Sequence, residues 1–130
     1  MHLELIANHD ASNNVVQKIA HRVFMETGAS SLLGVEAMTS MIANIASATG
    51  RTFKDIVSDA ELFPSVATAE VRGFGTRGFD MCMRVARRMI CGALPDMCCG
   101  AVRFHHADTM PQWAVARGYI ADIDGMLFYL

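Results

Sequence analysis

At 130 residues and 52% hydrophobic, the chain is long enough for one domain with a substantial core and too short for two of ordinary size. A net charge of −2 and a pI of about 6.2 lack the basic footprint of a nucleic-acid binder. No stretch of about 20 residues is free of polar interruption, so no membrane span is expected, and MHLELIANHDASNN at the N-terminus has neither the basic nor the apolar region of an export signal.

The first predicted helix carries Val15, Val16, Ile19, Ala20, Val23 and Phe24 at helical spacing, with Asn14, Gln17, Lys18, His21 and Arg22 on the other side. It runs into Glu26 and ends near Gly28. No other acid lies between Asp10 and Glu36. Glu26 falls three residues beyond Val23 and leans toward the buried face at the negative end of the helix dipole, which makes it a candidate to hold and donate a proton. The plainer reading is that Gly28 caps the helix and Glu26 reaches solvent past its end.

Ser30 or Ser31 caps a second helix, with Leu33, Met38, Met41, Ile42 and Ile45 on its buried side and Glu36, Ser40, Asn44 and Ser47 as a polar stripe. Gly50 stops it. Thr52-Phe-Lys-Asp55 opens a short third helix through Val57. From Asp59 to Gly78, Pro64, Gly73, Gly75 and Gly78 interrupt any period, so a long loop bordering a cleft is expected there. The next helix sets Phe79, Cys82, Met83, Ala86, Met89 and Ile90 against Asp80, Arg84, Arg87 and Arg88, and Gly92 ends it. Beyond Pro95, Ala101 to His105 reads as a strand, Asp108 to Gln112 as a loop, and Asp124-Gly125 as the turn before a final strand, Met126 to Leu130. The fold class is therefore α+β and mainly α, one domain over residues 1–130 with a small C-terminal β element. The ten methionines are expected to fill its core.

Four cysteines, Cys82, Cys91, Cys98 and Cys99, form no CxxC pair and have no zinc-finger spacing. Reduced thiols are the expectation, with a bridge among the last three as the alternative in an oxidising compartment. His105, His106 and Asp108 have the composition of a metal site, but adjacent strand residues point to opposite faces, so no metal is expected. One histidine packs inward with a hydrogen bond while the other faces solvent or substrate. Trp113 either stacks on a sugar ring or packs on the hairpin.

The segment A-x-R-V-x-x-E ending at Glu26, then Gly34, then A-M-T-S-M-I-A-N ending at Asn44, resembles the first motif of the SleB-type cell wall hydrolases, the spore-cortex lytic enzyme family. C-G-A-L-P-D-M-C-C-G-A-V-R-F-H-H-A from Cys91, with Pro111, Trp113 and the closing Phe128-Tyr129, is similar to that family's second signature. In correct order the match spans residues 20 to 130. The resemblance implies a lysozyme-like helical domain that cleaves the β-1,4 bond between N-acetylmuramic acid and N-acetylglucosamine in peptidoglycan. It implies action in the cell wall or periplasm, no cofactor, and glycan strands as the partner. The catalytic glutamate carries over onto Glu26, acting as a lytic transglycosylase acid and base. Glycan contacts are expected at Ser40, Asn44, Asp96, His105, His106, Trp113 and Tyr129. The chain departs from the family at Ser30, where a second acid is usual, and at Ile45, Leu62 and Met126, where polar residues are usual. A glycan-binding or regulatory protein that kept the fold is the alternative.

Overall fold

The computed structural model describes the backbone of residues 2–65 and 76–130 and the side chains of residues 13–65 and 76–130. Four helices come first: α1 (His2–Thr27), α2 (Leu32–Thr49), α3 (Phe53–Val57) and α4 (Arg77–Ile90). Three strands follow, β1 (Arg103–His106), β2 (Ala121–Ile123) and β3 (Met126–Tyr129), with a 3-10 turn over Gln112–Ala114 between the first two. The strands form one antiparallel sheet in the order β1-β3-β2. The architecture is mainly α with a small antiparallel sheet, as the sequence patterns lead one to expect.

The caps form as the sequence suggests. Ser31 is the N-cap of α2, its Oγ accepting from Gly34 N at 2.9 Å, and Thr52 caps α3 by accepting from Asp55 N at 3.2 Å. Gly28, at φ +62, donates its N–H to Phe24 O and closes α1. Of the expected loop from Asp59 to Gly78, residues 66–75, with Gly73 and Gly75, lie outside the described residues.

Four differences from the sequence reading have physical causes. The backbone of α1 is helical from His2, well before the apolar period begins; no Gly or Pro interrupts residues 2–27, so nothing stops the helix. The fourth helix begins at Arg77, because Thr76 caps it with an acceptor for Phe79 N. Strand β2 is too short to show an alternation of its own and exists through pairing with β3 across the Asp124-Gly125 turn. Leu33, expected on the buried side of α2, is half-exposed, since the packing stripe runs through Val35, Met38, Met41, Ile42 and Ile45.

The core lies where that stripe meets Ile19, Ala20 and Val23 of α1 and Val85 and Ala86 of α4. Phe104, Met126 and Phe128 close it from the inner face of the sheet. The sheet is tied to the helices at one corner. Ser30 and Ser31 donate to Asp124 Oδ2 at 2.7 and 2.9 Å and hold that carboxyl below its ordinary range. Gly34 lies directly beneath, where an added Cβ would sit 2.9 Å from the same oxygen. Ser31→Ala removes both a helix cap and one of these ties, and should lower stability by about 1 kcal/mol in chemical denaturation. A loss below about 0.3 kcal/mol would mean that water replaces the cap.

Candidate functional site

Glu26 occupies the last turn of α1 on the same face as Ile19 and Val23, and its side chain is 0% exposed. Gly28 caps the helix, yet the carboxylate turns inward. This removes the reading in which it merely reaches solvent.

A buried carboxylate needs donors, and the fold brings them from three elements. Ser65, in the long loop directly after Pro64, donates its N–H to Oε1 at 3.0 Å and its hydroxyl to Oε2 at 2.9 Å. His106 Nε2, at the end of β1, lies 3.2 Å from Oε2. Arg22, one turn before Glu26, places Nη1 3.5 Å from Oε1. The guanidinium is itself fixed, donating from Nε to Val57 O at 2.8 Å and from Nη1 to Ser65 O at 2.9 Å, above the Phe63 ring.

Within the pair, His106 is the member that solvent reaches, with 31% of its side chain exposed. The hydrogen bond to Glu26 raises the imidazole above its ordinary 6.5; burial opposes this, and the charges of Glu26 and Asp108 add to it. Because His106 binds its proton more tightly folded than unfolded, the pair contributes fully below about pH 6.5 and is lost as pH rises through the raised value. Melting temperature should therefore fall across that window, and His106→Asn should flatten the profile. An NMR titration placing the ring below 6.5 would contradict it.

The two histidines diverge as adjacent strand residues must. His106 points to Glu26 and meets the Phe104 ring edge-on, whereas His105 turns to the outer face and binds the Tyr129 hydroxyl through Nε2 at 2.8 Å. There Trp113 packs edge-on against Tyr129 and His105, with the Arg103 guanidinium 4.1 Å from its ring centre. Of the two positions open to Trp113 in the sequence, the structure shows packing on the sheet.

Ser40, Asn44 and Asp96 form a third group. Ser40 Oγ accepts from Met97 N and donates to Pro95 O, and Asn44 donates to Asp96 Oδ1 and Ala101 O. Asp96 accepts from Cys98 N and Gly100 N. Burial pushes its carboxyl up, but these donors and Asn44 outweigh it and hold it below its ordinary range. Together they pin α2 to the loop that precedes β1. Of the seven expected glycan contacts, the structure brings His106 alone to Glu26, sets His105, Trp113 and Tyr129 on the outer face, and gives Ser40, Asn44 and Asp96 partners within the chain.

Arg22 and Ser65 were not singled out in the sequence. The i,i+4 spacing of Arg22 and Glu26 is a signal that finds the first; Ser65 leaves none. The four cysteines are free thiols, and burial pushes Cys82 and Cys98 up to about 12, which makes both poor nucleophiles. Among the described residues no group of three or more His, Cys, Asp or Glu is placed to hold a metal ion, and no helix is long and apolar enough to cross a membrane.

Comparison with protein-family models, with curated proteins and with solved structures gives no match to this chain.

Proposed function

We propose that this chain degrades peptidoglycan by acid–base cleavage of the bond between N-acetylmuramic acid and N-acetylglucosamine, as a lytic transglycosylase. The observation that carries the reading is the Glu26–His106 pair: a carboxylate, sealed at the end of a helix, hydrogen-bonded to a partly exposed imidazole whose pKa it raises. It joins the motif resemblance, which selects the same glutamate from sequence order.

The resemblance assigns the proton to Glu26; the hydrogen bond between its Oε2 and the more exposed His106 supports passing it through the imidazole instead. In the reaction proposed here the imidazolium gives its proton to the leaving sugar oxygen as the glycosidic bond breaks. The neutral imidazole then takes the proton of the muramic acid 6-hydroxyl, whose oxygen closes on the anomeric carbon. No water is consumed. Glu26 orients the ring and balances its charge, as a carboxylate behind a catalytic histidine does. Two of the departures from the family pattern, Ile45 and Met126, are core residues here, where a polar group would lack partners.

Two observations favour the second reading, a glycan-binding or regulatory protein without turnover: Glu26 is wholly covered, and Ser40, Asn44, Asp96, His105 and Tyr129 have hydrogen-bond partners inside the fold. Incubation with purified peptidoglycan, followed by mass analysis of released fragments, separates the two. Fragments ending in 1,6-anhydro muramic acid support the transglycosylase. Reducing ends mean hydrolysis, and binding to the insoluble wall without released fragments means the second reading.

A further inference from the structure

We propose that the groove between α1 and α3 binds a small anionic ligand of sugar size, bearing a phosphate or a carboxylate. The groove has a volume of about 680 Å³, in the range of small-molecule sites. Lys18 of α1 and Lys54 of α3 flank it, and Arg22 is also in its wall. Among the described residues no carboxylate lines it, although the chain as a whole carries a net charge of −2. Arg22 shares its charge with Glu26, whereas the Lys18 and Lys54 ammonium groups make no ion pair among the described residues. Two unneutralised cations facing one concavity focus a positive potential into it, and that selects an anion.

The rest of the lining narrows the ligand. Asn14, Gln17 and Ser58 offer neutral hydrogen-bonding groups of the kind that hydroxyls meet. Val57 supplies an aliphatic patch, His21 adds an imidazole, and among the described residues no Phe, Tyr or Trp lines the groove. A polyol with one charged substituent matches both the cations and the neutral hydrogen-bonding groups. The Arg22 part of the wall is preorganised, since its guanidinium is already held by Val57 O and Ser65 O. Glu26 does not line the groove and Arg22 is shared between the two, but binding here is read through Lys18 and Lys54, which take no part in the glycan-cleaving reading, so the two are tested separately.

Isothermal titration of the whole chain with glucose 6-phosphate, glucuronate and glucose tests it. At least one of the two anionic sugars should bind, weakening as salt is raised from about 0.05 to 0.5 M, and glucose should not. Which anion binds tells whether phosphate or carboxylate is preferred. The double variant K18E/K54E, both positions being exposed, should weaken binding by about ten-fold or more, while R84E/R87E on the exposed face of α4 makes the same charge change and should leave it intact. If K18E/K54E does not fold, K18Q/K54Q gives the same reading with a smaller loss. No binding by either anion at millimolar concentration, equal binding of glucose, or equal weakening in R84E/R87E would overturn the proposal.

Discussion

Glu26→Gln should lower peptidoglycan cleavage by about 10²-fold or more while the protein remains folded. The substitution is nearly isosteric, and the hydrogen bonds around it can be re-formed. Ser65 N–H keeps its acceptor at Oε1, and both the Ser65 hydroxyl and a neutral His106 can accept from the new amide. What is lost is the carboxylate whose hydrogen bond and charge raise the His106 pKa. The ring should therefore titrate lower in the variant, which NMR reads directly, and the alkaline limb of the pH–rate profile should move to lower pH with it. Full activity in Glu26→Gln would remove both Glu26 and the pair from the mechanism. A drop in rate with an unmoved His106 titration would keep Glu26 but break its link to the imidazole.

Phe128→Ala should be the most destabilising single truncation in the sheet, at about 3–5 kcal/mol. Phe128 is fully buried on the central strand β3, directly opposite Phe104 of β1, with ring centres 6.0 Å apart. Phe104 in turn touches Phe63 and the His106 ring. Removing the ring leaves a cavity at the point where the sheet meets the helices, and the rigid surroundings collapse only in part. For a domain whose whole stability is of order 5–15 kcal/mol, that is a large share. Urea denaturation should show a much lower midpoint with an unchanged slope. Leu33→Ala, at a half-exposed position, is the control and should change stability by less than about 0.5 kcal/mol. Similar losses in the two variants would mean that the sheet packs elsewhere.

These two residues also mark how far the sequence reaches. That Glu26 leans toward the buried face is one of two readings its position three residues beyond Val23 allows, and the caps at Ser30 or Ser31, Thr52 and Gly28 follow from side-chain or backbone chemistry acting within four residues. The Asp124-Gly125 turn and the closing strand are equally local. All of these depend on neighbours in the chain, so the fold class is legible without coordinates.

The site itself is not. Ser65 lies 39 residues and His106 80 residues from Glu26, and no local period records that a loop residue and a strand end will converge on one carboxylate. The same holds for Leu33, which the helix period places on the buried side and the packing of α2 leaves outside, and for β2, which is a strand only because β3 pairs with it. The sequence by itself determined the helical body, its caps and Glu26 as the candidate acid. Tertiary structure decided what surrounds that acid, that His106 rather than Glu26 meets solvent, and that Lys18 and Lys54 face one groove, because each depends on long-range packing of segments that carry no local trace of their partners.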